Sequence, residues 1–488
     1  MCVSVASEYE GSQLRNTKEY SGQLRASASV ARKGLDILSS MASRLLPALL
    51  PSFLSPILVI NNLAEPLKLS PTSHLDGLRG IAALFVYVGH FVGPFYADQF
   101  QHGYGYGSNR SVVQLPIIRL AYSGSPMVSV FFVISGFVLS IKPLKLMKAR
   151  EWDRILQTVA SATFRRAIRL FSPVFVSTFL VSISVWLRLF EIDFKDVPPG
   201  ITVMRPVLQE SLWAQLKDWG YYVATTLTDV WSWKILRPGS NYGGHLWTIT
   251  FEFRCSMLLF LTHVGISRLS LVSFYAISLS SIVYCLAWEK WDFAHFIAGM
   301  LLAKASLYGH PAPQEGARKT RRSAQILSSL LAWACLFVGL YFASFPNSHG
   351  AETPGYVWLA RVVAERHNWE LFGTVMIVWS LSHIAVLQRG LTTPIIQYLG
   401  RISFSFYIIH EPLLHVFGWS LVKKTWLVTG NTSSFRYQLG TLVAFLLLTP
   451  LIICIADVFW RLVDVPSMAL ARWVEGKCFV PFTADGED

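Results

Sequence analysis

Charge is what this chain has least of. Only 15% of its 488 residues are Asp, Glu, Lys or Arg, against roughly 25% in an ordinary soluble domain. Hydrophobic residues reach 53% and mean hydropathy is +0.43. That combination excludes a soluble globular enzyme, a disordered chain and a collagen-like repeat. Cysteine is scarce as well. Cys2, Cys255, Cys285, Cys335, Cys454 and Cys478 form no Cys-x-x-Cys pair, and four of them lie inside apolar runs. A small disulfide scaffold is excluded, and free buried thiols are expected. The sequence also lacks a Walker A loop, His-Glu-x-x-His, Gly-x-Ser-x-Gly, and Gly-x-Gly-x-x-Gly after a strand. The main signatures of nucleotide hydrolysis, zinc hydrolysis and serine nucleophiles are therefore missing, and no metal is called for. No internal repeat of motifs is evident, which counts against inverted-repeat transporters.

What the chain does have is long apolar runs. Ten segments read as membrane spans, roughly 78–96, 117–141, 168–190, 246–265, 269–288, 292–307, 324–345, 369–388, 402–421 and 437–461. The expectation is an all-α, polytopic bundle of about ten transmembrane helices in a lipid bilayer. Residues 1–70 read as a polar, Ser-rich tail with one apolar stretch, 45–60, broken by Pro47, Pro51 and Pro56. Residues 71–475 form the transmembrane domain, and 476–488 a C-terminal tail. The 191–245 connection is rich in tryptophan (Trp213, Trp219, Trp231, Trp233), and its 208–226 portion suits an amphipathic helix at a membrane surface.

Lys and Arg outnumber Asp and Glu by 42 to 29, a formal net charge of +13. The excess is local. Connection 142–169 carries Lys142, Lys145, Lys148, Arg150, Arg154, Arg165, Arg166 and Arg169, and loop 308–323 carries Arg318, Lys319, Arg321 and Arg322. This bias places both segments, and with them the N- and C-termini, on the cytoplasmic side. There is no interleaved basic and aromatic platform, so nucleic acid is not a partner. Two glycosylation sequons, at Asn109 and Asn431, fall in loops that this topology puts outside the cytoplasm. The expectation is a glycosylated multi-pass protein of the endomembrane system; oligomeric state is not legible.

An ionisable side chain in mid-bilayer costs about 2.5–3.5 kcal/mol on insertion scales, so such residues are functional candidates. Four groups stand out. Arg79 and His90 are eleven residues apart, which puts them on one helix face about 16.5 Å apart along the axis, with Asp76 one turn before Arg79. Arg165, Arg166 and Arg169, read as a helix start, can grip phosphates through forked hydrogen bonds. Glu252 lies inside a span, with His245 seven residues earlier on the same face and Trp247 between them. Ser403, Tyr407 and His410 share a stripe that ends at Pro412. Ser135-Gly136 reads as a small-residue packing site. Taken alone, these residues suit either a membrane enzyme or a proton-coupled transporter.

Together the motifs resemble the acyltransferase 3 family. The carrying pieces are Leu-Asp-Gly-Leu-Arg-Gly with Arg79-x10-His90, Phe-Phe-Val-Ile-Ser-Gly-Phe (131–137), and Arg-Arg-x-x-Arg-Leu-x-x-Pro (165–173). To these add Leu-Trp-x-x-x-x-Glu (246–252), Ile-Ser-Phe-Ser-Phe-Tyr-Ile-Ile-His (402–410) and Val-Asp-Val-Pro-Ser (463–467). The tail and the 246–253 stretch look most like fungal members. The resemblance implies an integral-membrane O-acyltransferase moving an acyl group, most often acetyl from acetyl-CoA, onto a hydroxyl of a small molecule. For a fungal-type member the acceptor would be a secondary metabolite such as a terpenoid or polyketide, with a sugar hydroxyl as the alternative. It further implies that the Arg79–His90 pair is the functional signature; the mechanism expected on that basis has His90 as general base, oriented or balanced in charge by Glu252, with a covalent acyl-histidine as the variant. Arg79, Arg165, Arg166 and Arg169 would hold the acyl-CoA. His245, Trp247, Tyr407 and His410 would line the acceptor site.

Overall fold

The computed structural model describes Ser52 and residues 69–190, 206–232, 241–308 and 318–479. Expectations for the tail up to residue 68, for Trp233 and for residues 480–488 lie outside these. The chain divides into Met1–Pro66 and Leu67–Asp488, and the second unit forms the helical bundle. Apolar runs that must satisfy their backbone groups internally form helices, and no strand occurs among the described residues.

In chain order the main helices are α1 (Ser73–Val92), α2 (Gly124–Ala149), α3 (Trp152–Trp186) and α4 (Leu212–Tyr222). They are followed by α5 (Trp247–Ile266), α6 (Leu271–Ala287), α7 (Trp291–Tyr308) and α8 (Arg318–Ala343). The last part of the chain holds α9 (Arg366–Leu381), α10 (Ala385–Leu391), α11 (Pro394–Leu413), α12 (Trp419–Thr429), α13 (Ser434–Phe459) and α14 (Val465–Cys478). All ten segments foreseen as spans fall on these helices. Among the described residues, six helices are long and apolar enough to cross a membrane, or seven if α9 and α10, bent by 94°, form one broken span.

Several boundaries differ from the sequence reading, each for a local reason. Connection 142–169 is no loop. α2 runs on to Ala149, Arg150 closes it in the left-handed region (φ 58°), and α3 starts at Trp152. Arg165, Arg166 and Arg169 therefore sit well inside α3 rather than at a helix start. Lys and Arg are good helix formers, so charge marks the membrane boundary without ending the helix. The 117–141 segment becomes helical only at Gly124, after a 3-10 turn over Ile118–Tyr122. The 369–388 segment breaks after Leu381. The amphipathic 208–226 stretch contains α4, capped by Ser211, whose Oγ accepts from the Ala214 N–H. Trp213 and Tyr221 on it are exposed, while the Trp219 indole donates to Thr178 Oγ1 on α3 at 3.1 Å.

Two close helix crossings position the site. α1 packs on α11 and α2 on α7. A Cβ on Gly80 would lie 2.6 Å from the Gly400 nitrogen, and one on Gly400 would lie 2.3 Å from the Asp76 carbonyl oxygen. At the second crossing, a Cβ on Gly136 would meet the Phe296 carbonyl oxygen at 2.2 Å, and one on Gly299 that of Val133 at 2.1 Å. Only glycine fits at such contacts, the small-residue packing that membrane bundles use. The first crossing lays the Arg79–His90 face of α1 against the Ser403–His410 stripe of α11. The second bears out the packing expectation for Gly136.

Candidate active site

A cavity of about 520 Å³ opens among α1, α2, α3, α5, α11 and the α13–α14 turn, within the range of roughly 300–1,000 Å³ usual for small-molecule sites. Four arginines, Arg79, Arg166, Arg169 and Arg401, face it against three carboxylates, Asp76, Glu252 and Asp464. Arg79 pairs only loosely with Asp76, at 3.8 Å. Arg166 is tightly held. Its Nη2 donates to Glu252 Oε1 at 2.6 Å and its Nε to Ser256 Oγ at 3.0 Å. Ser135 Oγ donates to the same Glu252 oxygen at 2.9 Å, so Ser135 has a polar partner beyond the packing role foreseen for it. Arg165 does not share this space. It turns outward to Glu475 on α14, 3.2 Å away, because three residues at i, i+1 and i+4 on a helix cannot all face one groove. Arg401, not singled out in the sequence, joins the cavity and lies over the Trp460 ring at 5.6 Å.

The cavity ends at Thr248 and Tyr407, whose hydroxyls are 2.8 Å apart. Next to Tyr407 lie three imidazoles. The ring centroids of His90 and His410 are 5.1 Å apart, those of His90 and His245 6.1 Å, and those of His245 and His410 4.8 Å. Tyr407 packs against two of them, at 5.2 Å from His245 and 5.7 Å from His410, and its hydroxyl also donates to the His245 carbonyl at 3.1 Å. The structure thus brings His90, His245, Tyr407 and His410 together. Trp247 stays apart: its indole packs on Phe251 and Trp291.

The three histidines differ in their hydrogen bonds. His245 has both ring nitrogens engaged, Nδ1 with Glu411 Oε2 and Nε2 with the Ile408 carbonyl at 3.1 Å. Its backbone N–H also donates to Glu411 Oε2, at 3.0 Å. The Ile408 carbonyl is available because residue 412 is proline, which has no N–H to donate four residues back. The buried His410 gives its Nδ1–H to the carbonyls of Tyr407 (2.7 Å) and Phe406 (3.2 Å), while its buried Nε2 has no partner among the described residues. For His90, half-buried, neither ring nitrogen finds a hydrogen-bond partner among the described residues.

Glu252 is thus placed differently from the sequence reading. It bonds Arg166 and Ser135 from its place on α5, seven residues on from His245, which lies in the 3-10 turn Gly244–Leu246 ahead of that helix. The carboxylate beside the imidazoles is Glu411, whose signal was an acidic residue wedged between His410 and Pro412 at the end of an apolar run. Of the two sequons, Asn109 is buried and its Oδ1 accepts from Gln114 Nε2 at 2.9 Å, whereas Asn431 is exposed in the α12–α13 turn.

A cation-lined cavity leading to a cluster of imidazoles matches the order of motifs along the chain. A family model described as an acyltransferase domain matches residues 73–461. The chain belongs to the acyltransferase 3 family. The O-acetyltransferase PaAT-1 of Phomopsis amygdali is 30% identical over 428 residues, covering 84% of this chain and 85% of that protein. Acyltransferase R4 of a Phoma species is 27% identical, covering 82% of this chain and 94% of that protein. Acyltransferase clz18 of Cochliobolus lunatus is 25% identical, covering 81% and 94%. No solved structure matches. As an acyltransferase 3 member with several membrane-crossing helices, the protein is a multi-pass membrane acyltransferase.

Proposed function

We propose that the protein transfers an acetyl group from acetyl-CoA to a hydroxyl of a small molecule, a fungal secondary metabolite of terpenoid or polyketide type. The observation that carries this reading is the arginine-lined cavity ending at Tyr407, which packs on two of the three clustered imidazoles, the third being His90, whose ring nitrogens have no hydrogen-bond partner among the described residues. Arg79, Arg166 and Arg169, joined by Arg401, hold the CoA phosphates through charge-assisted bonds. The pantetheine arm runs along α1 toward His90, about 16.5 Å from Arg79 along the helix. Glu252 orients Arg166 for this task rather than assisting the imidazole. His90 takes the proton of the acceptor hydroxyl as its oxygen attacks the thioester carbon. The new C–O bond forms, the C–S bond breaks, and the CoA sulfur leaves with the proton that His90 returns. Tyr407, bonded to Thr248, separates donor cavity from imidazoles and must swing aside for the thioester to arrive.

The reading is tested with the purified full-length chain in detergent. Acetyl-CoA is expected to raise its melting temperature, and free CoA to accumulate when 1-octanol is supplied as a surrogate acceptor. Neither stabilisation nor CoA release would favour the transporter reading instead. A sugar hydroxyl is the runner-up acceptor.

We also propose that the arginine end of the bundle faces the cytoplasm and that the opposite end carries a glycan on Asn431. In a fungal host, deglycosylation is expected to lower the apparent mass of the wild type, and Asn431→Gln to abolish that shift. Because Asn109 is buried, Asn109→Gln should leave it in place. Loss of the shift in the Asn109 variant would reverse the assignment.

A further inference from the structure

The three imidazoles are sorted by their surroundings. A neutral imidazole has one N–H and one lone pair. His245 faces an acceptor with each nitrogen, the Glu411 carboxylate and the Ile408 carbonyl, so both of its nitrogens are already engaged. His410 is the reverse case. Its Nδ1–H is committed to backbone carbonyls, which leaves Nε2 as a lone pair, fully buried and without a partner among the described residues. A buried acceptor without a donor is unfavourable, and here it lies in a ring 5.1 Å from the His90 centroid, set edge to face. At that separation of the centroids a rotation of the His90 ring can aim one of its nitrogens at His410.

We propose that His410 is the second member of a two-histidine proton relay with His90, a role distinct from lining the acceptor pocket. When the acceptor hydroxyl attacks the thioester, one nitrogen of His90 takes its proton while the other His90 nitrogen passes its own proton to His410 Nε2. On collapse of the tetrahedral adduct the C–S bond breaks, His90 gives the proton it took to the CoA sulfur, and His410 returns its proton to His90. Both imidazoles are neutral again. Because His410 acts through His90, it is a positioning residue. His245 and Glu411 form the wall that keeps the two rings in place: Glu411 holds His245 from one side, and the carbonyl freed by Pro412 holds it from the other. The proposal rests on the reading of His90 as the base for acyl-CoA.

The experiment is a comparison of wild type with His410→Gln, full-length and in detergent, using acetyl-CoA and 1-octanol. Glutamine can accept a hydrogen bond but not a proton. The expected result is a kcat at least about 100-fold lower, the low end of the span that a proton-transfer group contributes, with the KM for acetyl-CoA and the melting temperature unchanged. Measured across mixtures of H2O and D2O, kcat of the wild type should follow a curved dependence, because two protons move, and that of the variant a linear one. A variant kcat within about threefold of wild type, far below that span, would overturn the relay. So would a linear or flat dependence in the wild type, which would return His410 to the pocket wall. If the wild type itself releases no CoA, the acyl-CoA reading fails, an outcome distinct from either.

Discussion

Replacing His90 by alanine is expected to lower kcat by about 100- to 10,000-fold, the span that general-base catalysis usually contributes. The structure says why this variant is a clean probe. Neither ring nitrogen of His90 has a partner among the described residues, so its removal leaves no buried donor or acceptor stranded, and the melting temperature should hold. The donor-side arginines stand three turns away on α1 or on other helices, so stabilisation by acetyl-CoA should persist. Lost turnover with retained acetyl-CoA binding is the signature of a chemical role. Wild-type turnover in His90→Ala would remove His90 from the mechanism and take the proposed relay with it.

Arg166→Met is expected to have two effects that a second substitution separates. The first is on stability. Arg166 is the close partner of Glu252 at 2.6 Å, with side-chain exposures of 10% and 19%. Breaking a buried pair from one side costs about 3–5 kcal/mol, and partial exposure of Glu252 places this case at the lower end. The second is on the donor. A hydrogen bond to a charged group is worth about 1.5–3 kcal/mol, so the KM for acetyl-CoA should rise about 10- to 100-fold. Adding Glu252→Gln removes the stranded carboxylate. Stability should return in the double variant while the raised KM remains. If the double variant regains both, Arg166 is only the structural partner of Glu252. If KM never changes, the arginine cluster serves topology alone.

Much of the site was legible because a bilayer makes ionisable residues costly. In a chain with 15% charge, Arg79, His90, Arg166, Glu252 and His410 stand out against their apolar neighbours. The Arg79–His90 register needs only helical geometry, and α1 carries both. Other residues were not legible. Glu411 is adjacent to His410 in sequence, yet its importance depends on His245, 166 positions away. Arg401 looked like one of many basic residues at a helix end. Arg165 and Arg169 were equivalent by spacing until packing on α14 turned one of them toward Glu475.

By itself, then, the sequence determined a helical membrane protein, the order of its motifs and the residues that a bilayer would not tolerate without cause, since hydropathy and helical periodicity are local properties. Which carboxylate meets which cation was decided only in the tertiary structure. The Gly80–Gly400 and Gly136–Gly299 crossings bring helices to backbone contact, and that contact sets which side chains share a cavity. Pairing is a property of two surfaces. No periodicity within one helix could have assigned Glu252 to Arg166 and Glu411 to His245.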